Sequence, residues 1–302
     1  MTDAPSISVI TVTRNLIEAG RQQTILEVMD CVQGQTATGL EHVIWDGASN
    51  DGTQALIEQK IEELRAVGAP VPVRFHGEPD SGLYDAMNKA VDASRGDYVI
   101  FLNSDDLIER QDSLALAQQQ LAKEHPDYAY GQTTYVNTDG STFQARRITT
   151  KSILRSIPFC HNSTLIRREV FQKLGGHDLK FKIVADYDMT LRIFMQGLKG
   201  SAVPVPIAVF RRGGLSADIL GTGSEVARVW RKNYSPFLDL SVYSDEECLN
   251  WVKVGQLPLR VSWAIFWANL KKPAVRRAAR HSFFKTLLRQ MQPWRSWDNL
   301  SE

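Results

Sequence analysis

The feature that most constrains this chain is the alternation of short apolar, branched runs with segments whose apolar residues recur at helical spacing. Residues 7–13 read as a strand, and 18–32 as a helix with Ile25, Val28, Met29 and Val32 on one face. Residues 41–45 read as the next strand, 47–52 as a turn and 53–67 as a helix. Strand, helix and strand follow at 71–75, 83–93 and 98–102, and 113–122 looks helical. This alternation predicts an α/β fold: a Rossmann-like, mostly parallel sheet with helices on both faces. Pro204 and Pro206, in VPVPIAVFRR, predict an edge strand, because proline cannot donate to a sheet ladder.

No internal repeat, low-complexity run or Gly/Ser linker divides the first 215 residues. Past Gly213-Gly214 the pattern changes to longer, aromatic and basic helices. The sequence therefore predicts one domain over 1–215 and a helical, basic and aromatic extension over 216–302. A chain of 302 residues with 43% hydrophobic content can bury one sizeable core plus such an appendage. Cysteines at 31, 160 and 248 give neither a disulfide framework nor metal-knuckle spacing, which suits a reducing cytoplasm. The opening MTDAPSISVI lacks the positively charged lead of a secretory signal. The most apolar later window, 261–270, is half the roughly twenty residues a spanning helix needs. A cytoplasmic protein, soluble or peripheral on the inner face of the membrane, is expected.

The formal net charge is +1, but it is spread unevenly. From Lys253 onward ten Lys or Arg face only Asp298 and Glu302, a net of +8 that leaves about −7 for the rest. Trp263, Phe266, Trp267 and Leu270 recur at helical spacing there. A second helix sets Val275, Ala279, Phe283, Leu287 and Met291 opposite Arg276, Arg277, Arg280 and Arg289. Such helices either pack on the core or lie on anionic lipid, and the basic excess with abundant Trp favours the lipid surface. The aromatics sit on the apolar faces rather than among the basic residues, which argues against nucleic acid.

The strand at 98–102 ends in Asn103-Ser104-Asp105-Asp106, where open α/β sheets place ligand chemistry. Two carboxylates beside an Asn and a Ser suit Mg²⁺ or Mn²⁺ and leave positions open for phosphate oxygens. The same four residues also serve as a cap for the following helix, and both readings stand together because a helix start attracts phosphate.

Four blocks in order make the chain resemble glycosyltransferase family 2, the inverting enzymes of GT-A fold, and within it the bacterial colanic acid and exopolysaccharide branch. They are ISVITVTRN, HVIWDGASNDGT, the run from EPDSGLYDAMNKA to NSDD, and HNSTLIRREVFQKLGGHDLKFKIVADYDMTLR. Together they cover roughly the first 215 residues. The resemblance implies a metal-dependent inverting transferase, of hexosyltransferase type. It would move a sugar from a nucleotide-diphosphate sugar, with UDP favoured and GDP next, to a saccharide or lipid-linked acceptor of exopolysaccharide or cell-envelope synthesis.

It also assigns residues. Asp46 holds the place of the family acid that contacts the base, whereas Gly47 and Ala48 replace the family's second Asp and its Gly; alone, Asp46 reads as a turn-shaping residue. Thr13 and Asn15 follow as base or ribose contacts, although Asn15 also reads as a helix cap. Glu78, Asp85, Asn88 and Lys89 belong to the donor region, with Asp85, Asn88 and Lys89 on one helix face. Asp105 matches the metal-binding acid and Asn103 the other position of the motif. Asp106 assists the metal or contacts the sugar, and Ser104 and His161 join the donor or acceptor contacts. Asp186 matches the catalytic base, with Ala185 where the family often has Glu; its plain reading, with Asp188, is a first-turn acid stabilising a helix. Arg211 and Arg212 are candidate diphosphate contacts. A nucleotidyltransferase is the rival in reaction class, but it would place a Gly-rich phosphate loop where this chain has Thr13-Arg14-Asn15-Leu16. A non-catalytic nucleotide- or saccharide-binding module is the third reading.

Overall fold

A computed structural model describes residues 4–144, 149–213 and 218–291. The chain groups into two compact units, each assembled from separated stretches. One holds Met1–Ala145, Phe159–Leu179 and Lys199–Gly214; the other holds Arg146–Pro158, Lys180–Leu198 and Leu215–Glu302. The expected change of character at Gly214, and the end of the expected extension over 292–302, lie outside the described residues.

The first unit is a mixed sheet with helices. Strands β1 (Ile7–Thr13), β2 (Leu40–Asp46), β3 (Val73–Gly77) and β4 (Tyr98–Phe101) are parallel, in the order β3-β2-β1-β4. Beyond β4 the sheet continues through β8 (Thr164–Arg167), β6 (Tyr128–Val136), β9 (Gly200–Arg211) and the two-residue β5 (Leu107–Ile108). In that half only β6 and β9 run parallel, and β7 (Thr142–Gln144) pairs with β6. Helices α1 (Gln22–Gln33), α2 (Thr53–Ala66), α3 (Leu83–Ala93), α4 (Ser113–Glu124) and α5 (Arg168–Lys173) complete the unit.

β1 is buried along its whole length, as its branched apolar residues demand. The expected face of α1, Ile25, Val28, Met29 and Val32, is fully buried, and each such side chain contributes roughly 1.5–3 kcal/mol relative to exposure. α1 starts later than its apolar spacing predicts. Residues 15–20 form a braced turn instead, in which the Thr53 and Asp51 side chains accept from the Leu16 and Glu18 N–H groups. β3 is displaced by two residues from the expected 71–75, because the Gln33 amide bonds both backbone groups of Val71. A shift of two preserves which side chains share a face. β9 is not at the edge: β5 covers it, pairing at Ala208 and Val209 and so clear of the two prolines.

The second unit contains α6 (Ala185–Met195), α7 (Ile219–Tyr234), α8 (Asp245–Lys253), α9 (Leu259–Ala268) and α10 (Pro273–Met291). Its buried aromatics are hydrogen-bonded, which offsets the cost of burying their polar tips. Trp230 Nε1 donates to the Tyr187 hydroxyl, Tyr187 donates to the Ile153 carbonyl and Tyr234 to that of Leu154. α8 begins with a capping box formed by Ser244 and Glu247. On α10 the buried positions are the small residues Val275, Ala278, Ala279, Ser282 and Thr286. Met291, expected on the apolar face, is 63% exposed. Among the described residues no helix is long and apolar enough to cross a membrane.

Candidate active site

Because β1 to β4 are parallel, their carboxyl ends share one edge, and the register sets Thr13 beside Asp46 and Asp46 beside Gly77. Asp46 is fully buried and saturated. The Ser49 N–H and Gln54 Nε2 donate to Oδ1 at 2.7 and 2.9 Å, and the Thr13 and Ser49 hydroxyls donate to Oδ2, each at 2.7 Å. A carboxylate accepts about four such bonds, so the turn after β2 consumes this one. The Ser49 hydroxyl in turn accepts from the Asn15 N–H at 2.7 Å, and Asn15 Oδ1 accepts from the Asn50 N–H, stitching the turns after β1 and β2 together. Asn15 is therefore a loop brace and does not cap α1, whose N-cap is Arg21.

Two backbone strains sit in these turns. Asn15 (φ 46°) and Ala48 (φ 60°) are two of the three non-glycine residues with positive φ among the described residues. Each costs of order 1 kcal/mol or more and persists only where neighbours over-determine it. Gly47 needs its missing side chain: a Cβ there would stand 2.3 Å from an Asp80 oxygen.

The loop before α3 is fastened by the expected donor residues. Asp85 accepts from the Ser81 N–H at 2.8 Å and meets Lys89 Nζ at 3.1 Å, while Lys89 donates to the Pro79 carbonyl. Partial burial pushes the Asp85 carboxyl up, but the Ser81 and Lys89 donors outweigh it and hold it below the usual carboxylate range. Lys89 Nζ also stands 5.9 Å from the centre of the Trp45 ring. Asn88 turns away to the 176–177 loop, exchanging two hydrogen bonds with the His177 backbone. Glu78 is exposed, and its N–H donates to the Asp46 carbonyl.

After β4 the two adjacent acids part company. Asp106 is 1% exposed; Oδ1 accepts from the Arg211 N–H at 2.9 Å, and Oδ2 accepts from Asn162 Nδ2 at 2.6 Å and Asn103 Nδ2 at 3.0 Å. Burial first, and then the charge of Asp105, push its pKa up to about 7 against the Arg211 N–H, His161 and Asn103. Ser104 beside it is buried. Asp105 keeps a side chain 22% exposed and pairs with Arg21 Nη1 at 3.3 Å. His161 Nε2 lies 3.5 Å from Asn103 Nδ2, so His161, Asn103 and the two acids form one polar cluster. Arg211 Nη2 is held by Glu27 at 3.1 Å.

Asp105 is thus the carboxylate of the pair with room to accept a ligand. Among the described residues no three His, Cys, Asp or Glu converge as a ready metal cage. A hard cation at Asp105 would complete its shell with phosphate oxygens and water, which is the habit of Mg²⁺ and Mn²⁺ at substrate phosphates. The partners that make this division of labour, Arg21 and Asn162, escaped the sequence reading, as did Gln54 on Asp46. Asn162 neighbours His161, but nothing in sequence ties it to an acid 56 residues earlier.

In the second unit Asp186 occupies the first turn of α6, partly buried, with Oδ1 accepting from the Tyr187 N–H at 2.8 Å. The segment leading to it is clamped by a single carboxylate from α7. Glu225 accepts from the backbone N–H groups of Lys182, Ile183 and Val184, at 2.8 to 3.1 Å. Asp188, two residues on, is fully buried and paired with Arg192, Lys232 and Asn233. The two acids, alike in sequence, differ in that Asp188 is locked in the interior.

The sequence model of glycosyl transferase family 2 matches residues 8–179. A PGL/p-HBAD biosynthesis glycosyltransferase of Mycobacterium tuberculosis is 30% identical over 223 residues, covering 72% of this chain and 81% of the relative. The structure resembles residues 1–349 of S. aureus TarS in complex with UDP-GlcNAc, with a TM-score of 0.62 at 16% identity over 96% of this chain and 93% of that one. It also resembles a mannosyltransferase of Pyrobaculum calidifontis in complex with GDP-Man and Mn²⁺, with a TM-score of 0.61 at 18% identity over 97% and 89% of the two chains. These structural likenesses bear on the fold, which is that of GT-A glycosyltransferases. The chain belongs to glycosyl transferase family 2 and is a glycosyltransferase.

Proposed function

We propose that the protein is an inverting, divalent-cation-dependent transferase. It moves a hexosyl group from a nucleotide-diphosphate sugar, UDP-linked in preference to GDP-linked, to a saccharide or lipid-linked oligosaccharide of exopolysaccharide or cell-envelope synthesis. The observation that carries the reading is the split between the paired acids: Asp106 is buried and saturated, while Asp105 stands partly exposed at the carboxyl edge of the parallel strands. The complexes of TarS with UDP-GlcNAc and of the Pyrobaculum calidifontis mannosyltransferase with GDP-Man support a nucleotide-sugar donor, and the Mn²⁺ of the latter supports a cation.

On this reading the base lies against the braced turns around Thr13, Asn15 and Asp46, and Glu78, Asp85 and Lys89 line the donor's approach. Asp105 would hold Mn²⁺ or Mg²⁺; Asn103 and His161 belong to the same polar cluster, and Asp106 keeps Asn103 and Asn162 in place. The bound cation would neutralise charge on the leaving diphosphate. Asp186 accepts the proton of the acceptor hydroxyl as that oxygen bonds to the anomeric carbon. The bond from that carbon to the diphosphate breaks on the opposite face, and the nucleoside diphosphate leaves with the electron pair. Glu225, by clamping residues 182–184, fixes where α6 starts and so where Asp186 stands.

The test is Asp186→Asn, followed by nucleoside diphosphate release with a panel of sugar donors and by thermal stabilisation with the same donors. The variant is expected to keep the stabilisation and to lose transfer by roughly 10²- to 10⁴-fold, the usual contribution of a general base. Full turnover would remove Asp186 as base, and a product of retained anomeric configuration would remove the inverting mechanism.

A further inference from the structure

Helices α9 and α10 turn small or polar residues inward. Ser262 donates to Ser282 across the pair, Thr286 donates to the Leu257 carbonyl, and Val261, Ile265, Val275, Ala278 and Ala279 are buried. Several of their largest apolar side chains face out. Trp263 and Trp267 on α9, with Leu270 just past its end, are 50%, 53% and 44% exposed; Phe284, Leu288 and Met291, spaced i, i+4, i+7 on α10, are 53%, 46% and 63% exposed. The two rows join through rings. Trp267 touches Trp263 at 5.5 Å between centroids, Trp263 touches Phe283 at 5.5 Å and Phe283 touches Phe284 at 5.7 Å. Single exposed apolar residues need no explanation, but a continuous row of this kind marks a contact surface.

The charge around it names the partner. The span from Leu259 to Met291 contains eight Lys or Arg and no Asp or Glu. Arg277 and Arg280 are exposed, and they precede Phe284 by seven and four residues, on the same side of α10. Tryptophan and phenylalanine beside an unopposed positive field are the two elements of an interfacial helix pair: rings for the boundary between headgroups and acyl chains, cations for anionic headgroups. An acidic protein would match the charge but not the linear apolar rows.

We propose that the exposed face of α9 and α10 docks on an anionic lipid bilayer, lying in its surface. The proposal does not depend on which sugar is moved or on Asp186. The experiment is co-sedimentation of the full chain with vesicles of phosphatidylcholine alone or enriched in phosphatidylglycerol, with light scattering of the free protein. Two double variants accompany it: Trp267→Ser with Phe284→Ser, and Arg277→Glu with Arg280→Glu. The expected result is sedimentation with the phosphatidylglycerol vesicles only, reduced roughly tenfold or more by the charge reversals, since each basic residue near such a surface adds measurable affinity. The serine pair is expected to lower binding comparably. If the serine pair melts early, the charge reversals, made on exposed side chains, decide alone. A chain that stays in the supernatant, or variants that sediment like the original, overturn the proposal. So does a dimer that the serine pair abolishes without change in vesicle binding, which would make this face a contact between two copies.

Discussion

Asp46, the last residue of β2, and Asp105, after β4, are aspartates at the same edge of one sheet, and their surroundings separate them. Asp46 is buried under four hydrogen bonds that tie together the turns after β1 and β2. Asp105 is partly exposed beside one arginine, while its neighbour Asp106 takes the buried, saturated place. The difference teaches that the number of donors already spent on a carboxylate, more than its position on the edge, decides whether it frames a site or serves it. A saturated acid has no lone pair for a cation without first abandoning its own loop.

The largest effect that would test this contrast is on activity. Asp105→Ala is expected to lower transfer by about a thousandfold, the scale of several kcal/mol of lost charge stabilisation, while changing the denaturant midpoint little. Asp46→Ala is expected to do the reverse first. It leaves several buried donors without an acceptor, so a loss of about 3 kcal/mol of folding stability should appear in chemical unfolding. Equal destabilisation by the two substitutions would erase the distinction.

A pH dependence sharpens the framing side. His42, buried in β2 four residues before Asp46, donates through Nε2 to the Thr11 hydroxyl at 2.9 Å, because that hydroxyl itself donates to the Leu102 carbonyl. Nδ1 is left buried without a partner, so a second ring proton would have no acceptor, and burial lowers the pKa from 6.5 to about 3. Between those values the unfolded chain binds the proton and the folded one does not. Stability should therefore fall as pH falls through this window, by up to about 1.4 kcal/mol per pH unit. Urea titrations at several pH values should show the slope, and His42→Gln should flatten it.

The smallest effect concerns the strained turn. Ala48 adopts a left-handed conformation in which glycine is at ease, so Ala48→Gly should be neutral or stabilising by up to about 1 kcal/mol. A clear destabilisation would mean that the methyl group packs rather than strains.

The parallel half of the fold was legible because its signals are local. β1 and α3 fall where their apolar periods place them, and the buried face of α1 is the one its spacing shows. What was not legible depends on partners remote in sequence. The late start of α1 is set by Thr53 and Asp51, the shift of β3 by Gln33, and the covering of β9 by a two-residue strand too short to carry a period. The candidate site divides the same way. The residues could be named from their motifs, but only the fold shows that Asn162 and the Arg211 N–H spend Asp106, and that Gln54, Ser49 and Thr13 spend Asp46. Without the family motif, Asp186 and Asp188, two residues apart on α6, read as equivalent first-turn acids until the pairing of Asp188 with Arg192 and Lys232 is seen.

The most direct measurement is thermal stabilisation of the purified protein by UDP, GDP and dTDP, each with and without Mn²⁺, beside the Asp105→Ala variant. The account predicts a shift with one nucleotide, UDP foremost, that requires both the cation and Asp105. No shift with any nucleotide, or a shift that survives Asp105→Ala unchanged, would contradict it.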